Sequence, residues 1–166
     1  MAYLTYLIDF YSTLPSLIAF VHSHRDGWPG AWHTDNGQYS NPLSLQTFKH
    51  EYVHERGYAN LRCNWIPGCG RDDLQPYRNP PKEDRTEERA MVEIWALLFD
   101  GAMAPERIGV ACCSQFAVSR EQVRKRSKEE YVKYRKWLLE TPMDDETSGR
   151  VLEYLWHVMF GRESVE

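Results

Sequence analysis

The sequence predicts an α/β fold in one domain over residues 1–166, with a small, mostly parallel or mixed sheet flanked by helices and a helical C-terminal half. Short continuous apolar runs are typical of buried strands, and longer segments repeat apolar residues at helical spacing. Strands and helices alternate in one unit, and 42% of the 166 residues are hydrophobic, which is enough for one core. A trimmed Rossmann-like or glycosyltransferase-like sheet fits this order of elements.

The N-terminal half is predicted to contain two helices around one strand. Apolar residues form one helical stripe over residues 3–14, which Pro15 ends. Residues 17–21 form a continuous apolar run, as expected for a buried strand. Asn41, followed by proline, is predicted to cap a helix that ends at Gly57.

The middle of the chain is predicted to contain one helix and two strands. Asp84 is placed as the cap of the helix, with Glu87 in its first turn, which is a more ordinary role for this carboxylate pair than catalysis. Residues 108–111 and 116–118 are short apolar runs that indicate strands.

The C-terminal half is predicted to be helical. Ser119 and Ser127 are each followed three residues later by Gln or Glu, which predicts two capping boxes and two consecutive helices. The last helix is predicted to begin at Thr147 or Ser148 and to end at Gly161.

Charge and hydropathy narrow the functional classes. The net charge of −4 gives the whole protein no electrostatic signature for nucleic acid, although residues 120–136 carry eight basic side chains against three acidic ones. That segment is either a local basic strip or an ordinary solvated pair of helix faces. No apolar run reaches the ~18 residues of a membrane span, and no signal peptide is evident, so we expect a cytoplasmic protein without membrane association.

The last helix carries the first candidate site. Arg150, Glu153 and His157 are spaced by three and four residues and therefore share a helical face. A Glu beside a His can act as a general acid/base pair, because each group changes the pKa of the other. The alternative is an exposed pair without function, but the apolar residues around it leave little of this helix for solvent.

A second candidate site follows the first predicted strand. His22 and His24 alternate, so that in an extended segment they point the same way. Two imidazoles are too few for a metal, and a third ligand from His33 or Asp35 would be a guess, so no metal is predicted. We favour a substrate-contacting loop in which Arg25 is free to hold a carboxylate or phosphate.

The four cysteines are predicted to be thiols. Cys63 and Cys69 are six residues apart, and Cys112 and Cys113 are adjacent, which is not the spacing of a zinc ribbon. Cys113 acting as a nucleophile near His157 is a hypothesis that needs proximity in space. The sequence contains no phosphate-binding glycine motif and no Asp-x-Asp pair, and no cofactor is predicted.

Five blocks of sequence together resemble the fungal family DUF3431. They are Tyr-Leu-Thr-Tyr-Leu-Ile-Asp (3–9), His-Ser-His-Arg (22–25), Asn-Leu-Arg-Cys-Asn-Trp-Ile-Pro-Gly-Cys (60–69), Ala-Cys-Cys-Ser-Gln-Phe-Ala-Val-Ser-Arg (111–120) and Gly-Arg-Val-Leu-Glu-Tyr-Leu-Trp-His (149–157). The family includes arginine-containing cyclodipeptide synthases of secondary metabolism. The resemblance implies that this chain joins arginine to a second amino acid as a diketopiperazine, with arginyl-tRNA and a second aminoacyl-tRNA as partners.

Aminoacyl transfer requires a base for the attacking amine and donors for the oxyanion. For that activity the candidate catalytic residues are His157, Glu153, Gln115 and Cys113. The candidate substrate-binding residues are His22, His24, Arg25, Trp156 and Arg150. If residues 120–136 contact tRNA, the binding residues are Arg120, Arg124, Lys125, Arg126, Lys128 and Lys133.

Two alternatives to a synthase remain at this stage. The resemblance implies a further segment upstream of residue 3, with at least one strand, which this chain does not contain, so that a catalytically inactive binding remnant is one of them. The other is a glycosyltransferase-like enzyme using a nucleotide-sugar, against which the missing Asp-x-Asp motif counts.

Overall fold

The structure, a computed structural model, describes the backbone of residues 1–166 and every side chain except that of Arg71. Within it, seven α-helices, three strands and one short 3-10 helix follow one another along the chain. Their bounds are α1 Ala2–Asp9, β1 Leu17–Phe20, α2 Asn41–Thr47, α3 His50–Arg56, β2 Tyr58–Asn60, the 3-10 helix Gly70–Asp72, α4 Thr86–Leu98, β3 Phe116–Ser119, α5 Arg120–Val123, α6 Lys128–Glu140 and α7 Asp145–Met159.

The sheet is small and has β3 at its centre. β3 pairs antiparallel with β1 on one side and with β2 on the other. The predicted single α/β domain, small sheet and helical C-terminal half are confirmed, whereas the pairing is antiparallel and not parallel. β1 and β2 do run in the same direction and are joined through two helices, but β3 lies between them and runs the opposite way.

Phe116 of β3 lies at the centre of the core. Its ring is surrounded by aromatic rings from both helices and strands, with centroid distances from 5.2 to 5.9 Å. These are the rings of Tyr3, Phe20, Tyr58, Trp156 and Phe160. All four residues of β3 are buried, so both faces of the sheet are covered. Around this centre, α1 packs on α6 and α4 packs on α7.

Several predicted elements differ from the observed ones. The first helix ends at Asp9, well before Pro15. The predicted helix from Asn41 to Gly57 is two helices, because Phe48 adopts an extended conformation between them. Residues 108–111 form only two isolated bridges, and β2 was not predicted.

The observed helix caps agree with the predicted ones at two helices and differ at others. Ser127 forms the predicted capping box of α6, and Ser119 caps α5 with one bond to the backbone of Gln122. Asp84 does not cap α4, whose cap residue makes no side-chain hydrogen bond. α7 begins earlier than predicted because Asp144 caps it, accepting a hydrogen bond from the backbone N–H of Thr147 at 2.7 Å.

Ser40, and not Asn41, caps α2 by accepting a hydrogen bond from the backbone N–H of Leu43. The side chain of Asn41 instead bonds to Thr34 and to the backbone carbonyl of His24, which ties the loop after β1 to this helix. Across the described residues, no helix is both long and apolar enough to span a bilayer.

Candidate active site

A polar cavity of about 460 Å³ lies where the loop after β1 meets the first half of α7 and the residues that precede β3. Most of its walls are titratable or sulfur-containing side chains. They include His22, His24, His33, Cys112, Cys113, Glu146, Arg150 and Glu153. Two sequence blocks that were far apart, residues 22–25 and 149–157, therefore form one site.

Gln115 fixes the position of His22. Its side chain is buried, and its Oε1 accepts a hydrogen bond from the backbone N–H of His22 at 2.9 Å. Because Gln115 directly precedes β3, it links the end of β1 to the neighbouring strand just beyond the sheet. Through this hydrogen bond the Gln115 side chain holds the start of the loop that follows β1.

Glu153 lies against the backbone before β3. Its Oε1 accepts a hydrogen bond from the backbone N–H of Cys113 at 2.5 Å, and its Oε2 is 3.9 Å from Nη1 of Arg150. Only 17% of its side chain is exposed. Burial lowers the pKa of His22, an effect that the charge of Glu153 opposes and that of His24 reinforces, so His22 is neutral at neutral pH.

His33 is the most strongly perturbed group of the cavity. Burial, followed by the charges of His22, His24 and Arg62, lowers its pKa to about 4. Its ring centroid is 4.3 Å from that of His22. Among the described residues, Nε2 of His33 has no hydrogen-bond partner, which is costly for a buried ring nitrogen.

Cys112 and Cys113 form a disulfide with each other, so the prediction of four thiols is wrong for this pair. Cys63 and Cys69 are free, as predicted. In the disulfide form Cys113 has no thiol to act as a nucleophile. Spacing could not predict a bond between adjacent residues, because it depends on the backbone reaching a positive φ of 84° at Cys113.

The backbone around Cys112 is held by the neighbouring loop. The backbone N–H of Cys112 donates to the carbonyl of Pro67 at 3.2 Å, and that of Val110 donates to the carbonyl of Gly68 at 3.1 Å. Gly68 has a φ of 120°, and a Cβ there would lie 2.1 Å from the carbonyl oxygen of Val110. Only glycine at position 68 lets the two backbone segments approach this closely. Their contact holds the disulfide at the cavity wall.

Arg62 is a site residue that sequence reasoning missed. Its guanidinium is buried, and Nη1 donates to Sγ of Cys112 and, at 3.2 Å, to Sγ of Cys113. Its Nε is 3.5 Å from a carboxylate oxygen of Asp35, and its guanidinium carbon is 5.0 Å from the ring centroid of Trp32. The only sequence signal was its place in the 60–69 block.

The donor atoms of Cys112, Cys113 and Glu153 lie within 4.8 Å of one another, which is metal-binding proximity. The two sulfur atoms are bonded to each other, however, and thiolates, not disulfides, bind metals well. In this state the group therefore does not form a metal centre.

The full chain, residues 1–166, matches the family model described as a protein of unknown function, DUF3431. The chain belongs to the DUF3431 family. Searches of curated proteins and of solved structures find no significant match. In this DUF3431 protein, the 111–120 block supplies the disulfide and Gln115, and the 149–157 block supplies Glu153.

A second cavity of the DUF3431 protein, also about 460 Å³, adjoins the first and shares His22 and Gly149 with it. Its walls are largely aromatic and aliphatic. They include Tyr3, Leu138, Leu152 and Trp156. Of the predicted substrate-binding residues, His22, His24 and Arg150 therefore line the polar cavity, and Trp156 lines the second one.

Two predicted site residues, His157 and Arg25, make other contacts. His157 is fully buried, its Nε2 is 3.1 Å from the carbonyl oxygen of Ser164, and burial lowers its pKa. Among the described side chains, it makes no hydrogen bond to Glu153 and does not line either cavity. The side chain of Arg25 is 84% exposed and lies beside Asp26. The structure thus brings Glu153 together with His22 and not with His157.

The predicted tRNA-binding residues of the DUF3431 protein fall into two groups. Arg126 and Lys133 form salt bridges, to Glu130 and Asp100 respectively. Arg120 is 3.9 Å from Glu121, and Arg124 donates to the backbone carbonyl of Ser12. The side chains of Lys125 and Lys128 are exposed and make neither a salt bridge nor a hydrogen bond among the described residues.

Proposed function

We propose that this DUF3431 protein synthesises an arginine-containing cyclodipeptide from two aminoacyl-tRNAs, the activity of the synthases that its sequence resembles. The observation that carries the proposal is the pair of adjoining cavities that meet at His22. A reaction between two aminoacyl groups needs two side-chain subsites that open on one reacting centre.

The polar cavity suits the arginine side chain. Glu146 and Glu153 both line it, and carboxylates bind guanidinium groups through paired, charge-assisted hydrogen bonds. Arg150, 3.9 Å from Glu153, would then turn toward solvent or toward the ester carbonyl. The second cavity, with Trp156 and Leu152, suits an aromatic or aliphatic side chain.

In this scheme His22 acts as the base. The attacking α-amine must lose a proton, and a neutral imidazole at the junction of the two subsites can accept it. The amine nitrogen then bonds to the ester carbon of the other aminoacyl group, and the ribose oxygen of that tRNA leaves with the proton. A second aminolysis closes the ring and releases the second tRNA, so no oxidant or reductant is required.

The basic strip fits the same scheme. Lys128 begins α6, and Leu138, ten residues later, lines the second cavity. At the helical rise this separation is about 15 Å. Lysines at the start of α6 would hold tRNA phosphates while the aminoacyl end of the same molecule reaches the cavity.

Mass spectrometry of a microbial host that expresses the chain tests this proposal, through a search for arginine-containing diketopiperazines. We expect a product from the unaltered protein and a drop of about 100-fold per folded molecule in His22→Gln, because a general base is removed. In Glu153→Gln we expect a drop of about 10- to 100-fold, because a charge-assisted bond to arginine is removed.

Matched controls separate these effects from surface changes. His50→Gln and Glu163→Gln alter exposed side chains outside both cavities and should leave the yield unchanged. His157→Gln distinguishes a catalytic from a structural role: we expect it to lower the stability of the protein but not the yield per folded molecule. No diketopiperazine from folded, unaltered protein in a host with a full set of charged tRNAs would contradict the proposal and favour a binding remnant.

A further inference from the structure

The contacts of Arg62 are better suited to a reduced form of its sulfur partners than to the disulfide. Nη1 of this buried guanidinium faces both sulfur atoms, which carry no charge when they are bonded to each other. Its Nε is buried and makes no hydrogen bond to any described residue, and the nearest Asp35 oxygen is 3.5 Å away. The Asp35 carboxylate, the Ile66 carbonyl at 3.4 Å from Nη2 and the Trp32 ring compensate other parts of this cation. Nη1, however, faces two uncharged sulfur atoms, and a thiolate there would place an opposite charge at contact distance from it.

We propose that Cys112–Cys113 is a reversible thiol–disulfide exchange site, which small dithiols and glutathione-type thiols reduce and in which Arg62 holds the Cys112 sulfur as a thiolate. The inference concerns the cysteines themselves and does not rest on the proposed synthase activity. The glutamate contact of Cys113 places the exchange site directly at the polar cavity.

The geometry sets the order of steps. Cys113 is partly exposed at the cavity wall, whereas Cys112 is only 5% exposed. An incoming thiolate therefore attacks Sγ of Cys113, and the S–S bond breaks with its electron pair going to Cys112. The leaving sulfur lies against Nη1 of Arg62, and a stabilised leaving thiolate speeds exchange.

The second thiol of the reductant then attacks the mixed disulfide and releases Cys113, which takes up a proton. In sum, one dithiol, R(SH)₂, supplies two electrons and two protons, and it leaves as its own cyclic disulfide. The protein retains one proton, on Cys113, and the other goes to solvent because Cys112 remains a thiolate. With a monothiol, two molecules are consumed and leave as one disulfide.

Counting thiols in the folded protein by alkylation and intact mass is the first test. After treatment with oxidised glutathione and removal of the oxidant, followed by denaturing alkylation, we expect two adducts, on Cys63 and Cys69. After treatment of the folded protein with reduced dithiothreitol we expect four adducts, and a return to two on reoxidation. Four adducts after the oxidising treatment, or reduction that occurs only once the protein is unfolded, would overturn the proposal.

Thiolate absorbance near 240 nm tests the role of Arg62, with the Cys112→Ser/Cys113→Ser double variant as baseline. In Cys113→Ser we expect the remaining sulfur to ionise with a midpoint at least about one pH unit below the ~8.5 of an ordinary cysteine. Adding Arg62→Met should raise that midpoint by about one unit or more, and adding Arg62→Lys should restore most of the shift.

A second comparison uses only the two single cysteine variants and does not require an Arg62 variant to fold. Cys112→Ser leaves only the more distant sulfur of Cys113, and its midpoint should lie above that of Cys113→Ser. If the two single variants ionise at the same pH, or if both do so at the ordinary value, Arg62 does not stabilise a thiolate and the proposal fails.

Discussion

Two of the six buried side-chain atoms that have no hydrogen-bond partner among the described residues lie at or beside the polar cavity. Nε2 of His33 and Nε of Arg62 are both buried without a hydrogen-bond partner among the described residues, and both belong to this one region. Such groups are rare in folded proteins because each is costly. Both lie near His22, whose pKa burial lowers, and a cavity with several perturbed groups is what the proposed function leads us to expect.

His33 makes stability depend on pH in a defined window. Its pKa is about 4 in the folded protein, against 6.5 for the free side chain. Above pH 6.5 both forms are neutral; as pH falls toward 4 only the unfolded chain binds the proton, so the free energy of unfolding decreases. We expect a loss of about 2 kcal/mol from this residue between pH 7.5 and pH 5, measured by urea denaturation.

Variants isolate the contribution of His33 from those of the other buried histidines. Between pH 7.5 and pH 5 the free energy of unfolding of His33→Gln should decrease by about 2 kcal/mol less than that of the unaltered protein. His50→Gln, at an exposed position, should leave the decrease unchanged. An equal pH dependence in His33→Gln and the unaltered protein would show that the imidazole of His33 is protonated in the folded state.

At the scale of elements, α7 divides its residues between the two cavities. Of the two, Arg150 and Glu153 line only the polar cavity, Leu152 and Trp156 line only the second one, and Gly149 lines both. The spacing of three and four residues keeps each set on one stripe of the helix. A one-residue shift of this helix would move both subsites, and the Asp144 cap fixes where it begins.

Sequence reasoning succeeded where the determinants were local. The capping box at Ser127 specified the start of α6, and the apolar run from Leu17 specified β1, because neighbouring residues alone set these features. It missed β2, which is three residues long and exists only because β3 pairs with it. It also missed Arg62, whose sulfur partners lie 50 and 51 positions away in the chain.

The basic segment of α5 and α6 gives a prediction at this scale. Lys125 and Lys128 are exposed and unpaired within the described structure, so they are available for phosphates. In Lys125→Ala/Lys128→Ala we expect aminoacyl-tRNA binding to weaken about 3- to 30-fold at low salt. The slope of log affinity against log salt should become shallower by about 1.5, since two phosphate contacts are lost.

Lys136→Ala is the matched control for that experiment. Lys136 is on the same helix but at its other end, 3.9 Å from Glu140, and 69% of its side chain is exposed. Its replacement should change neither affinity nor slope. Equal effects of the control and the double variant would mean that overall charge, and not this segment, sets the interaction.

At the scale of the whole molecule, one strand joins the core to the site. β3 lies at the middle of the sheet, and the residues just before it place the disulfide at the polar cavity and Gln115 against the backbone of His22. The rings around Phe116 come from α1, both neighbouring strands and the C-terminal helix. Packing at this centre therefore holds in place the elements that form both cavities.

Phe116→Ala tests that arrangement. Removing a fully buried ring leaves a cavity among five other rings, and we expect a loss of about 3–5 kcal/mol in the free energy of unfolding, measured by urea denaturation. Phe116→Leu, which refills most of the space, should cost about 1–2 kcal/mol and remain folded if the alanine variant does not. Phe10→Ala, at a half-exposed ring beyond the end of α1, should cost less than about 1 kcal/mol. Similar losses for Phe10→Ala and Phe116→Ala would mean that the core is not centred on β3.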